Sequence, residues 1–169
     1  MKNKPLLHFI MNETRKPITG RSFKIRRFFT LMLLALIYAL VFFQRTCPSI
    51  VAEEMAETYE VEKSDLSIFS AIFFYPYGVM QLFAGVLADV MEPAVLIGVS
   101  QIIAATGAII CGFSKNVFAG CIGRFLVGLG CGPTYVPECR CIANWFELKS
   151  YPLYTGILSG IGGIGSIAA

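Results

Sequence analysis

Charge is what this sequence has least of. Asp, Glu, Lys and Arg make up 15% of its 169 residues, against roughly 25% in soluble domains. Hydrophobic residues account for 56%, and the mean hydropathy is +0.67. A soluble chain of this length needs a charged surface that these residues cannot supply, which points to a membrane setting. Histidine is nearly missing as well, the lone His8 standing in the N-terminal tail without a partner. Six cysteines are present (Cys47, Cys111, Cys121, Cys131, Cys139, Cys141), but most lie in apolar stretches, where Cys behaves as a small hydrophobe. Cys139-Arg-Cys141 lacks the two-residue gap of a metal knuckle. No metal, cofactor or redox chemistry is therefore expected. A membrane-embedded enzyme would need acids, histidines or cysteines clustered within the apolar segments, and no such cluster occurs, so no enzymatic activity is expected. No ATP-binding loop is visible.

Long apolar runs dominate instead. About 20 apolar residues of helix cross the hydrocarbon core, and five such segments are expected, at 28–52, 66–88, 94–113, 117–143 and 153–169. The fold class is an all-α, polytopic membrane helical bundle over residues 28–169, preceded by a basic tail at 1–27. Ser64-Asp65 is a plausible cap for the second span. Pro76 inside that span should kink it or loosen its backbone, as membrane helices tolerate. Ser114-Lys115-Asn116 is a tight turn between spans three and four. The fifth span ends at Ala169 at the lower length limit, with nothing polar to close it. A truncated product or fragment is expected, with a genuine five-span protein as the alternative.

The net charge of +3 hides an asymmetry. Residues 1–27 hold eight cations (Lys2, Lys4, Arg15, Lys16, Arg21, Lys24, Arg26, Arg27) against Glu13 alone. The segment EEMAETYEVEKSD after the first span is acidic. The positive-inside rule places the tail in the cytoplasm and the acidic loop outside, in the plasma membrane or an internal membrane. A basic tail could also bind nucleic acid, but this one has no aromatic interleaving and lies directly before a span. The lipid bilayer, not nucleic acid, is the expected partner. The long charged region and the lack of a small-residue cleavage site also make the segment a poor secretory signal peptide.

Arg45 lies deep in the first apolar run, FFTLMLLALIYALVFFQRTCPSIV. An arginine at the centre of a span costs roughly 2.5–3.5 kcal/mol on insertion scales, so it is expected to face a watery cavity where an anion can pair with it. The alternative is an arginine snorkelling to the interface, though apolar Ile50 and Val51 still follow it. In span two, Tyr77 and Gln81 share a helical face, with Phe74 near the same stripe. A hydroxyl and a carboxamide beside glycines suit a pore wall, while the run Phe73-Phe74-Tyr75-Pro76-Tyr77 would equally serve packing or lipid contact. Glu138 and Arg140, near the end of span four, are expected to be interfacial and structural.

Two motifs carry a resemblance. Gly85-Val-Leu-Ala-Asp89 closes span two, and Arg124-xxx-Gly128-x-Gly130 runs through span four. Together, at this separation and with this topology, they resemble the N-terminal half of a major facilitator superfamily transporter. The basic tail that normally follows the first motif is replaced by Val90-Met-Glu92-Pro93. Small residues four apart allow close helix approach, so Gly85 and Gly128 are expected at helix contacts. Asp89 is a carboxylate free to pair with an arginine. Arg124 needs a polar partner or a cavity; glycine packing with an interfacial arginine is the plainer alternative.

Within that superfamily the chain is most similar to the organophosphate:phosphate antiporters and their organic-anion relatives. The residues that carry this are Tyr38 and Arg45 seven apart in span one, Asp65-Leu66 with Tyr77-Gly78 in span two, Asp89-Val-Met-Glu92-Pro93 in the loop, and Gly132-Pro133 through Arg140 to Trp145-Phe146. The phosphate carriers have a lysine shortly after the span-two Tyr-Gly, where this chain has Gln81. That leaves Arg45 as the central cation of this half and widens the candidates from phosphate esters to carboxylates. The resemblance implies a secondary transporter, an antiporter among its relatives, of a small organic anion. Arg45 would bind the anionic group, with Tyr38, Tyr77 and Gln81 as hydrogen-bond donors. Gly85, Asp89, Arg124, Gly128, Gly130 and Arg140 would serve gating or structure, and the missing C-terminal half of the carrier would be a partner. Two alternatives stay open: a truncated, non-transporting half-carrier, and a carrier for an uncharged solute such as a sugar.

Overall fold

The computed structural model describes residues 21–50, 52–59, 61 and 66–167. Residues 1–20 of the basic tail, His8, the Ser64-Asp65 cap and Ala168-Ala169 fall outside them. Helix α1 runs Arg21–Ile50, 30 residues or about 45 Å at 1.5 Å per residue. It begins inside the stretch expected to be tail, because Arg21, Lys24, Arg26 and Arg27 are good helix formers with nothing to stop them. A short helix not anticipated from the sequence, α2 (Ala52–Tyr59), follows. Helix α3 covers Leu66–Val90 and passes through Pro76 unbroken. Helix α4 (Pro93–Phe113) opens with proline at its first turn, where the missing N–H costs nothing. Asn116 then caps the next helix, its side-chain oxygen accepting from the Ala119 N–H at 2.8 Å.

The fourth span is not the single helix expected over 117–143. It splits into α5 (Val117–Cys131) and α6 (Tyr135–Trp145), joined by a turn at Gly132-Pro133-Thr134. Proline chemistry explains the break. Pro133 offers no N–H to the carbonyl of Leu129, and Pro137 offers none to the carbonyl of Pro133, so two consecutive turns lose a rung. A 3-10 turn at Leu148–Ser150 leads into α7 (Tyr151–Ile167), which starts two residues before the expected Leu153. The segments 24–48, 67–90, 93–113 and 117–145 are long and apolar enough to cross a membrane, and α7, at 17 residues, sits at the lower limit.

Small residues set how these helices meet. Helices α4 and α5 form the broadest contact, followed by α1 with α7 and α3 with α5. Gly107 on α4 and Gly123 on α5 lie so close that a methyl group on either would come within 2.6–2.7 Å of the other's carbonyl oxygen. Gly128 abuts Phe73 and Pro76 of α3, and Gly130 abuts Ser100 and Ala104 of α4. These are close backbone approaches of the kind that drive association where lipid removes the hydrophobic incentive. Gly85 differs from expectation. It is exposed, and a methyl group added there would meet nothing within 4 Å, so it forms no helix contact among the described residues. The outward surface is apolar, with Leu36, Leu82 and Phe113 exposed, as suits contact with lipid tails.

Candidate solute site

Helix phase decides what Arg45 faces. The exposed apolar stripe of α1 runs through Phe29, Met32, Leu33, Leu36 and Leu40. Nine residues separate Leu36 from Arg45, two and a half turns of helix, so Arg45 stands on the opposite side. That is the side of the buried Leu34 and Val41. Arg45 is nevertheless exposed, because it opens onto a cavity of about 260 Å³ with Thr46, Pro48, Ser70, Phe73, Phe74 and Arg124. Its guanidinium lies 5.8 Å from the Phe42 ring centroid and 5.6 Å from that of Phe74, a distance at which aromatic faces attract cations. No carboxylate among the described residues lines this cavity.

Arg124 is buried, at 5% exposure, and finds the partner and the cavity expected of it. Its Nη1 donates to the carbonyl of Gln44 at 2.7 Å. That carbonyl is free because its helical donor would be residue 48, and Pro48 has no N–H. The guanidinium also covers the Phe69 ring at 5.3 Å. Its Nε has no hydrogen-bond partner among the described residues. Arg124 thus stands between the Arg45 cavity and a larger one of about 390 Å³, which Gln44, Cys47, Glu54, Tyr59, Cys111 and Ser114 help to line. The hydroxyls of Tyr59 and Ser114, 2.5 Å apart, tie α2 to the end of α4 over that space.

The other expected site residues lie deeper, away from α2. Tyr38, two turns from Arg45 on the same face, packs its ring 5.4 Å from Tyr135 and 5.0 Å from Phe42. Tyr77 stacks on Phe73 at 5.5 Å. Gln81, half-buried, is one turn further along α3. The four residues therefore form not one cluster but a wall in tiers: Arg45 with Phe74, then Tyr38 with Tyr77, then Gln81. Arg124 joins the first tier, although the sequence assigned it only to gating or packing. Its apolar setting and lack of a neighbouring acid were the signal that could have found it.

At the end of the bundle opposite α2, Arg140 Nη1 pairs with Asp89 Oδ1 at 2.8 Å and also donates to the carbonyl of Ala88. The arginine that pairs with Asp89 comes from α6. Both side chains are well exposed, 42% and 80%, so the pair contributes at most about 1 kcal/mol and can open readily. Glu138 departs from expectation. It is not interfacial but fully buried, at 0% exposure, and neither carboxylate oxygen has a hydrogen-bond partner among the described residues. Two residues apart on a helix point some 200° from each other, so Arg140 turns out to Asp89 as Glu138 turns in.

Comparison with known proteins follows the same lines. The sequence is 25% identical over 139 residues to the "Probable sulfoacetate transporter SauU" of Cupriavidus necator, covering 82% of this chain and 32% of that protein. It is 28% identical over 138 residues to the "Uncharacterized transporter YybO" of Bacillus subtilis, covering 82% and 31%. It is 25% identical over 115 residues to the "Membrane sensor protein UhpC" of Salmonella typhimurium, covering 65% and 25%. The chain thus spans about a third or less of the length of the relatives it matches. Among solved structures, a bacterial homologue of the human lysosomal transporter Spinster, inward-facing and unoccupied, shares the fold with a TM-score of 0.80 at 23% identity, over 88% of this chain and 31% of that one. The family profile of the Major Facilitator Superfamily matches residues 34–169. By that match, and by the helices that bring Arg45, Tyr38 and Tyr77 to one wall, the chain belongs to the Major Facilitator Superfamily.

Proposed function

We propose that this chain forms one wall of a secondary transporter for a small organic anion, working by alternating access against a second wall from the rest of the carrier. One observation supports the reading: Arg45 and Arg124 open onto a single cavity that no carboxylate of the described residues lines. Two guanidinium groups on one cavity wall suit an anionic guest, and each offers a carboxylate, sulfonate or phosphate two parallel donors. Hydrogen bonds to charged groups are each worth about 1.5–3 kcal/mol, so a pair would outweigh the cost of ordering a small solute. Tyr38, Tyr77 and Gln81 would bind the polar remainder of the solute on the deeper tiers. The name of the relative SauU, a probable sulfoacetate transporter, agrees with an anionic solute. Asp89 with Arg140 would form a weak latch at the cytoplasmic end, released as the halves rock.

The test is counterflow by the full-length protein in proteoliposomes, with a panel of carboxylates, sulfonates, phosphate esters and neutral sugars. Anions are expected to exchange and sugars are not. Arg45→Lys keeps the charge but loses the planar fork, and should lose at least tenfold in apparent affinity, about 1.4 kcal/mol. Normal transport by both Arg45→Lys and Arg45→Ala, or a preference for neutral sugars, overturns the reading.

A further inference from the structure

The hollow beneath α2 plays no part in the solute reading. At about 390 Å³ it falls within the range of small-molecule pockets, roughly 300–1,000 Å³. Helix α2 is firmly seated over it. Ala56 is buried against Phe69, and the Tyr59 ring stands 6.2 Å from the Phe69 ring. Gly120 makes room for both. A methyl group there would come within 2.7 Å of the Phe69 ring and 2.8 Å of the Tyr59 hydroxyl. The Tyr59–Ser114 hydrogen bond completes the seat.

Two charges of opposite sign line this hollow. Arg124 reaches it from α5 and is buried, while Glu54 reaches it from α2 and is exposed. The charged residues described around the Arg45 cavity are, by contrast, both cations. A guanidinium has five N–H donors, and one of those on Arg124 goes to the Gln44 carbonyl, so others remain for a ligand. Phe69, Ala108 and Val127 also line the hollow and suit a short hydrocarbon body. A carboxylate or sulfonate meets a two-pronged donor at Arg124. An ammonium at Glu54 gains less, because that acid is solvated and such pairs are worth about fivefold in affinity at most. A plain amine meets like charge at Arg124 and is disfavoured.

We propose that the hollow beneath α2 is a second binding site, distinct from the Arg45 cavity, for a small zwitterion. The ligand is an ω-amino carboxylate or sulfonate, with its anionic end on Arg124 and its ammonium end at Glu54. Arg124 lines both hollows, so a ligand beneath α2 draws on donors that the Arg45 cavity also uses. Occupancy of the two is therefore antagonistic.

The experiment is equilibrium binding to the full-length protein in lipid nanodiscs, read by calorimetry. The probes are ω-amino acids from glycine to 6-aminohexanoate, each set against the carboxylate and the amine of the same length. Arg45→Ala is the background, because it silences the other cavity and alters no residue lining this one. One chain length should bind best, about threefold more tightly than its plain carboxylate, and the plain amine should bind least. Glu54→Gln should erase that advantage. Glu54→Asp, one methylene shorter, should keep it and move the optimum to a longer probe. Equal affinity for amino acid and carboxylate, an advantage that survives Glu54→Gln, or no binding by any probe overturns the proposal. Each of these leaves the carrier reading standing, since the counterflow test does not involve Glu54. Failed counterflow would sink that reading without touching this site. A second measurement needs no variant. Cys47 and Cys111 line the hollow, whereas Cys121, Cys139 and Cys141 do not, so the best amino acid should protect the first two alone from a small methanethiosulfonate. Mass spectrometry of the wild-type protein reads the labelling, and labelling of Cys47 and Cys111 unchanged by the ligand overturns the assignment.

Discussion

Single residues here act through what their neighbours cannot do. Pro48 cannot donate to the Gln44 carbonyl, and Arg124 donates in its place from 80 positions away. Arg45 was legible in the sequence because a cation in an apolar run has few reasons to be there. The Arg124–Gln44 bond was not, since it depends on which face of α5 meets α1. Glu138 was misjudged because closeness to a helix end suggested an interface, whereas its phase relative to Arg140 turns it inward. Gln81, one turn below Tyr77, offers a direct test of charge on the wall. Gln81→Lys adds a cation to the deeper tiers, and should raise apparent affinity for phosphorylated solutes about tenfold, or about 1.4 kcal/mol, while lowering it for neutral ones. Competition assays with a phosphate ester and a sugar would read both. Unchanged affinity for the ester would remove Gln81 from the site.

At the scale of helices, glycine placement decides which contacts are rigid. Gly128 lies against the backbone and side chain of α3 at Phe73 and Pro76, while Gly98 on α4 has nothing within 4 Å. Gly128→Leu should therefore force α3 and α5 apart, at a cost of about 1–3 kcal/mol or more, and cut the folded yield several-fold. Gly98→Leu should leave it unchanged. Size-exclusion profiles of the detergent-solubilised variants compare the two, and equal yields would deny Gly128 its packing role. The bounds of α3 and α4 and the start of α5 were legible within a few residues because apolar length and turn residues mark them. The interruption of span four was visible only as prolines; that they break the helix rather than bend it follows from their spacing of four, which removes successive rungs. Helix α2 escaped notice because its acidic residues carry no apolar signal, and the lack of neighbours around Gly85 depends on tertiary placement that no motif encodes.

Across the molecule, two polar ends bracket an apolar belt. The end with Asp89, Arg140 and Lys149 follows from the basic side of the chain, and the end with α2 carries Glu54 and Glu57. If the basic end is cytoplasmic, a cysteine placed at exposed Glu57, in a protein whose native cysteines are replaced, should react with an impermeant thiol reagent from outside intact cells. Labelling only after the cells are opened would reverse the topology. The family and the helical class were legible from composition and two motifs. The tiered wall was only partly so, because Tyr38, Arg45, Tyr77 and Gln81 could be named but their levels needed the helices in place.

The cavity shared by Arg45 and Arg124 has one more consequence, for anyone handling the protein. An anion that fits between the two guanidinium groups binds the folded protein and not the unfolded chain, and at a hundred times its Kd this adds about 2.7 kcal/mol to the folded state. Under the proposed reading, the choice of buffer salt is then a choice of ligand. A preparation in chloride and one in a bulky organic acid would differ in how long the bundle survives outside the membrane.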